Sequence, residues 1–244
     1  GPTEISYSSF DAPLCNVDPA DTIFFMTYGG KNVTTLQSIS YNTFNMSTAN
    51  LKVTAVSINA PGPPTAVGNA KFTNMVITGN TFNSLKNNGR AVQFRNGGGD
   101  GTQPAANNIV SPVVTNNNIY GVSGSVGSYG IAFYDDKGST TGATVRFNTI
   151  TGMEYGIYLR VGDAPGTLID CNNIYNNTIG MDWHLGSTAV DANYNWWGDP
   201  TGPQHSSNPG GNGDIVTNNV DYRPWLTKPY APGQVVPVSV VYVD

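Results

Sequence analysis

Short runs of alternating apolar and polar residues, broken by Asn, Gly and Pro, recur along most of the chain. An Asn followed two residues later by a large apolar residue appears as Asn42/Phe44, Asn80/Phe82, Asn117/Ile119, Asn148/Ile150 and Asn172/Ile174. In each unit an aliphatic residue precedes the apolar anchor by five positions, as Ile39, Ile77, Val114, Val145 and Ile169. Successive anchors lie 38, 37, 31 and 24 residues apart. Later units add a second run written small–apolar–x–apolar, at 91–94, 130–133, 156–159 and 180–183.

Alternation at period two predicts strands, and repetition near two dozen residues predicts a solenoid rather than a sandwich. The expected architecture is all-β, a parallel β-helix of six or seven coils. At the strand spacing it would be roughly 30 Å long. Uneven spacing is expected from loops inserted at one corner, over 59–70, 96–108, 121–129 and 135–142. Within a strand, residues two apart share a face, which turns Val145 and Phe147 inward and Arg146 outward. Asn148 and its equivalents Asn42, Asn80, Asn117 and Asn172 are then expected at the turns, where Asn tolerates left-handed backbone angles. Stacked coil on coil, their amides would form a ladder.

A solenoid exposes unpaired edges at its ends and must cap them. Asn195-Trp196-Trp197-Gly198-Asp199-Pro200-Thr201-Gly202-Pro203, with the later Pro224-Trp225-Leu226, supplies a C-terminal candidate. Trp196, Trp197 and Trp225 are read as structural plugs rather than a sugar platform. Over 193–226 the chain resembles the terminal segment of right-handed parallel β-helix repeat proteins of bacterial and archaeal surfaces. That resemblance implies a right-handed coil, a secreted or cell-surface location and a family holding adhesins, surface-layer proteins and carbohydrate-active enzymes. It implies architecture better than activity. The expected organisation is one domain over 1–226, capped by 193–226, and a tail over 227–244. The apolar alternation 235–243 reads as an extra edge strand, the start of another domain, or a strand given to a second copy of the chain. If strand donation operates, deleting 235–244 abolishes assembly and leaves the coils folded.

Charged residues make up only 11% of the chain, with a formal net charge of −5 and no Lys/Arg cluster. This argues against nucleic acid as a partner, and no apolar run is long enough for a membrane span. No charged, apolar leader opens the sequence, so an export signal is expected to have been removed. Asn32, Asn45 and Asn176 head glycosylation sequons. Cys15 and Cys171 either form one long-range disulfide, worth about 4–5 kcal/mol in the loop-entropy picture, or leave Cys171 as a buried thiol.

Candidate chemistry sits on outward positions of the second run. Gln93, Ala132, Tyr158 and Asp182 would form one column, and Arg95, Tyr134, Arg160 and His184 its neighbour, with Asp135, Asp136 and Asp163 in loops beyond. Arg95, Tyr134, Tyr158, Arg160, Asp182 and His184 together fit a carbohydrate-binding face. Tyrosine rings stack on sugars and arginines hold acidic groups. The plainer reading is a solvated sheet whose side chains pair across strands.

Catalysis, as a lyase or hydrolase on an acidic glycan, would use Arg95, Arg160, Asp182 and His184. Asp135-Asp136 resembles the paired aspartates of β-helical polygalacturonases, but that family's Gly-His-Gly and Arg-Ile-Lys motifs are missing. Ca²⁺ would enter only with a lyase mechanism, and no acidic cluster has calcium-ligand spacing. No other cofactor or metal is expected, since His184 and His205 lack partners at ligand spacing. The leading expectation is an extracellular structural or adhesive module with a shallow glycan-binding face and self-association through the C-terminal strand. A polysaccharide-modifying enzyme and a self-assembling filament subunit are the alternatives.

Overall fold

The computed structural model describes residues 2–11, 20–26, 33–46, 53–60, 71–96, 109–135, 140–160, 166–184 and 188–234. Cys15, Asn32, the loops 61–70 and 97–108, Asp136, Asp163 and the tail 235–244 lie outside the described residues, as does the side chain of Asp135.

The described residues are all-β, and their strands form long parallel sheets in a solenoid-like stack. The chain visits three sheets in a fixed order. One coil runs Thr3–Ser6, Ser9–Asp11 and Ala20–Met26; the next runs Gln37–Ser40, Thr43–Asn45 and Val53–Ala60. The pattern repeats through Leu168–Asp170, Asn173–Tyr175 and Ile179–Trp183, and the first and third sheets reach eight strands while the second has six. A smaller three-stranded sheet of Phe72–Thr73, Ile109–Val110 and Thr140–Thr141 fills one corner.

The apolar anchors form one interior file. Phe10, Phe44, Phe82, Ile119, Ile150 and Ile174 are register partners in succession. Those from Phe44 to Ile174 are fully buried. The phenylalanines stack at 4.9 and 4.8 Å between ring centres, the spacing set by the strands themselves. Burying each anchor contributes about 1.5–3 kcal/mol.

Six asparagines, Asn42, Asn80, Asn117, Asn148, Asn172 and Asn195, run beside this file as a buried ladder. Each Oδ1 from Asn80 to Asn195 accepts from the backbone N–H and the amide of the asparagine one coil before it, at 2.9–3.0 Å. Each amide also donates to a backbone carbonyl near the preceding coil's aliphatic position, as Asn148 Nδ2 does to Val114 O at 2.9 Å.

The turn geometry differs from the simple alternation. The left-handed residues are those just before the ladder, Tyr41, Gly79, Asn116, Phe147, Cys171 and Tyr194. Phe147, expected inside, is half-buried at the outer corner with φ 60°. Its left-handed conformation rotates the chain so that Asn148, not Phe147, enters the interior. The asparagine is therefore chosen for its hydrogen bonds and its neighbour takes the backbone strain.

Trp197 is fully buried and Trp196 nearly so, at the C-terminal end of the stack. Trp196 bridges Asn173 in parallel, donating to Asn172 O at 2.9 Å and accepting from Ile174 N at 2.8 Å. Trp225 lies over Gly202, where a Cβ would come within 2.5 Å of the indole, and donates to Pro200 O at 3.1 Å. Cys171 is a buried free thiol among the described residues, and burial raises its pKa, with Asp170 adding to the effect.

Candidate functional site: a tyrosine face on the third sheet

The third sheet carries the candidate residues on its outer surface. Gln93, Ala132, Tyr158 and Asp182 are successive register partners. Arg95 pairs with Tyr134 in the adjacent column. Arg160 and His184 continue it, their backbone N–H groups donating to Phe133 O and Leu159 O at 3.0 and 2.8 Å. The two columns are therefore adjacent. The first column is not open, however: Gln93, Tyr158 and Asp182 retain only 6, 9 and 8% of their accessible surface, whereas Arg95, Tyr134 and Arg160 are half-buried and His184 is exposed.

A third column supplies the cover. Arg90, Tyr129 and Tyr155 are register partners, and strict alternation from Val92 would have turned Arg90 inward. The step between them breaks the alternation. Ala91 is fully buried, and a Cβ added to Gly130 would meet Ile150 Cγ2 at 2.7 Å and Gly156 O at 2.4 Å. Positions 91, 130 and 156 thus face the core at a bend too tight for a large side chain. Two consecutive inward residues put 90 and 93 on the same outer face.

The rings gather into one cluster. Tyr129 lies 5.1 Å from Tyr155, 4.9 Å from Tyr158 and 5.8 Å from Tyr134. Tyr158 lies 5.4 Å from both Tyr134 and Tyr155, and its ring faces that of His184 at 6.0 Å. Two guanidinium groups cover Tyr134, Arg90 at 4.6 Å and Arg160 at 5.5 Å, a cation–π arrangement. Arg90 also bonds Gln93 Oε1 and donates to Tyr134 Oη at 3.3 Å. Arg95 joins the face through its register with Tyr134.

Crowding shifts the titrations. Burial pushes Tyr158 up to about 12, with Tyr134 and Asp182 adding to it. Burial, then the Tyr134 hydrogen bond, raises Tyr129 well above the usual phenol range, and burial also raises Tyr155. Burial lifts Asp182 as well, opposed by the Thr217 hydroxyl and by His184. His184 Nδ1 is 3.7 Å from Asp182 Oδ2. At neutral pH Tyr129, Tyr155 and Tyr158 are protonated donors.

Compared with protein families, with curated proteins and with solved structures, this chain matches none. The reading of the site therefore rests on its own geometry.

That geometry offers ring faces, phenolic hydroxyls and guanidinium groups on a rigid sheet. Its columns carry the carboxylate of Asp182, already engaged by His184 and Thr217. Among the described residues no three His, Cys, Asp or Glu side chains gather as a metal site.

Proposed function

We propose that the chain is a right-handed parallel β-helix acting as an extracellular surface module, and that its tyrosine face binds glycan without turning it over. Right-handedness is supported by the fixed order in which the chain visits its parallel sheets, because parallel crossovers are right-handed in about 98% of cases. The surface location is supported by the likeness of 193–226 to β-helix repeat proteins of cell surfaces.

The single observation that carries the binding reading is the contact cluster of Tyr129, Tyr134, Tyr155 and Tyr158 flanked by Arg90, Arg160 and His184. Four phenols so close would be an odd way to solvate a sheet. The half-buried rings of Tyr129 and Tyr155, backed by Tyr158, offer apolar faces to the C–H surface of a sugar, and the phenolic hydroxyls offer donors. Packing on neighbouring rungs fixes the rings before binding, so little rotamer freedom is lost on association.

The test is a glycan microarray followed by calorimetry with any hit, on the wild type and on Tyr134→Ala and Arg160→Ala. Each substitution is expected to weaken binding at least tenfold, with unchanged circular dichroism and no depolymerisation. Absence of any glycan binding overturns the proposal. Depolymerisation of an acidic glycan that depends on Asp182 and His184 would replace it with an enzyme.

A further inference from the structure

Asn45 and Asn176 head sequons whose acceptor residues are both described, and the fold presents them differently. Asn45 ends the strand Thr43–Asn45, between Asp11 and Asn83 on the neighbouring rungs. Its amide donates to Asp11 Oδ1 at 2.8 Å, and its own Oδ1 accepts from Asn83 Nδ2 at 3.0 Å. Both ends of that carboxamide are held, and its backbone is paired on both sides.

Asn176 stands instead at the corner between the strands Asn173–Tyr175 and Ile179–Trp183, with φ 57°. It is exposed, and among the described residues no hydrogen bond holds its side-chain amide. The middle residue of the sequon pins the corner. Asn177 is buried; its Oδ1 accepts from Met153 N at 3.0 Å, and its amide donates to Ile150 O and Asp214 Oδ2 at 3.1 and 2.8 Å. Thr178 N donates to Met153 O at 3.1 Å, and Thr178 is exposed. With Asn177 turned in, the two residues that define the acceptor, Asn176 and Thr178, both face solvent.

The rungs before Asn176 leave room for a substituent. Gly152 N donates to Asn176 O at 3.2 Å, so glycine occupies this corner one rung earlier. A Cβ there would come within 2.6 Å of Gly121 O, and Gly121 is the same corner one rung earlier still. The bare backbone floors a depression of about 590 Å³, bordered by Asn176, Thr178 and the exposed ring of Tyr120. A sugar joined to Asn176 has space to lie there and an aromatic face to rest on.

We propose that Asn176 is the acceptor for an N-linked glycan and that the fold withholds Asn45 from the same reaction. The sequon pattern marks an acceptor only where it lies on an accessible surface turn, and of these two Asn176 alone does. In the transfer the Asn176 amide nitrogen bonds to the anomeric carbon of a lipid-pyrophosphate-linked oligosaccharide. The bond from that carbon to the pyrophosphate oxygen breaks, the lipid pyrophosphate leaves with the electron pair, and the amide proton passes to solvent. An oligosaccharyltransferase supplies donor and catalysis; the chain supplies the acceptor alone. The chain meets such an enzyme in the exported state proposed above, but the transfer is read on purified protein, so each reading can fail separately.

The test incubates the folded full chain, and separately its tryptic digest, with a lipid-linked oligosaccharide and a single-subunit oligosaccharyltransferase that accepts Asn-x-Ser/Thr. Mass spectrometry reads occupancy at each sequon, and the digest gives the acceptance of each without the fold. Relative to the digest, Asn176 in the folded chain is expected to be modified at least tenfold more than Asn45. Asn176→Gly, which copies Gly152 one rung earlier, and Thr178→Ala should each abolish that modification with unchanged circular dichroism. No modification of Asn176 in the folded chain, or equal protection of both sequons, would overturn the proposal.

Discussion

Replacing Asn148 by Ala tests the ladder at a fully buried rung. Asn148 Nδ2 donates to Val114 O and Asn172 Oδ1, and its Oδ1 accepts from Asn117 N and Nδ2, all at 2.9–3.0 Å. Two of these partners keep a second bond after the substitution. Asn172 Oδ1 still accepts from Asn148 N at 2.9 Å, and Asn117 Nδ2 still donates to Ile77 O at 3.0 Å. The Asn117 N–H loses its acceptor, and Val114 O loses the amide donor. At about 1–3 kcal/mol for each buried group left unsatisfied, and with a cavity the size of an amide added, the expected loss is about 3–5 kcal/mol. Urea unfolding followed by circular dichroism reads this as a lower midpoint. Asn42→Ala is the comparison, because its Oδ1 accepts from the partly buried Ser8 N–H, so it should cost less. A loss below about 1 kcal/mol for Asn148→Ala, or equal losses at both sites, would refute the reasoning.

Other expectations follow from the same contacts. Gly156→Val places a branched side chain where a Cβ alone would already meet Gly180 O at 2.6 Å; it is expected to cost about 1–3 kcal/mol or more, read as a fall in melting temperature, whereas Ala91→Gly in the same column should cost under about 1 kcal/mol. Burial raises Asp214 to about 6, against the hydrogen bonds it accepts from Asn177 N and Nδ2 at 3.0 and 2.8 Å. A carboxyl raised on folding adds stability below its unfolded pKa near 3.8 and loses it as pH rises through 6. The wild type should therefore lose stability relative to Asp214→Asn between pH 4 and pH 7, and a flat difference in melting temperature across that window would contradict the assignment. Phenolate absorbance should show Tyr158 ionising near pH 12, and a Tyr158→Phe variant that left the high-pH transition unchanged would show that the cluster is not packed as described.

Much of this was legible in the chain because the repeat is carried by residues whose spacing is fixed by strand geometry. Val114, Val145 and Ile169 in one sheet, and Ile119, Ile150 and Ile174 in the next, fall in register as their positions in the sequence imply. The columns from Gln93 to Asp182 and from Arg95 to Tyr134 were readable for the same reason. What period two could not carry was its own interruption. Arg90, Tyr129 and Tyr155 share parity with the inward Val92, Ile131 and Ile157, and only the bend at 91, 130 and 156 returns them to the outer face. A small residue recurring at those positions was the available signal, because Ala or Gly at a fixed place in each coil marks close backbone approach. The left-handed residues were masked for a related reason. Asparagine's tolerance of positive φ made it the natural candidate for the turn, while burial and hydrogen bonding assign it to the interior and leave positive φ to Tyr41, Phe147 and Cys171. The return of Tyr230 onto Asn173 and Phe147 joins residues 57 and 83 positions apart with no shared pattern, and nothing local announces it.

The account depends on each Asn-x-apolar unit lying directly on the one before it. Isoleucine-methyl NOE spectroscopy on otherwise deuterated protein reads this most directly, since Ile119, Ile150 and Ile174 are register partners in that order. The predicted result is strong contacts between Ile119 and Ile150 and between Ile150 and Ile174, with none between Ile119 and Ile174. Contacts between Ile119 and Ile174, or methyls isolated from one another, would contradict the stack and every site built on it.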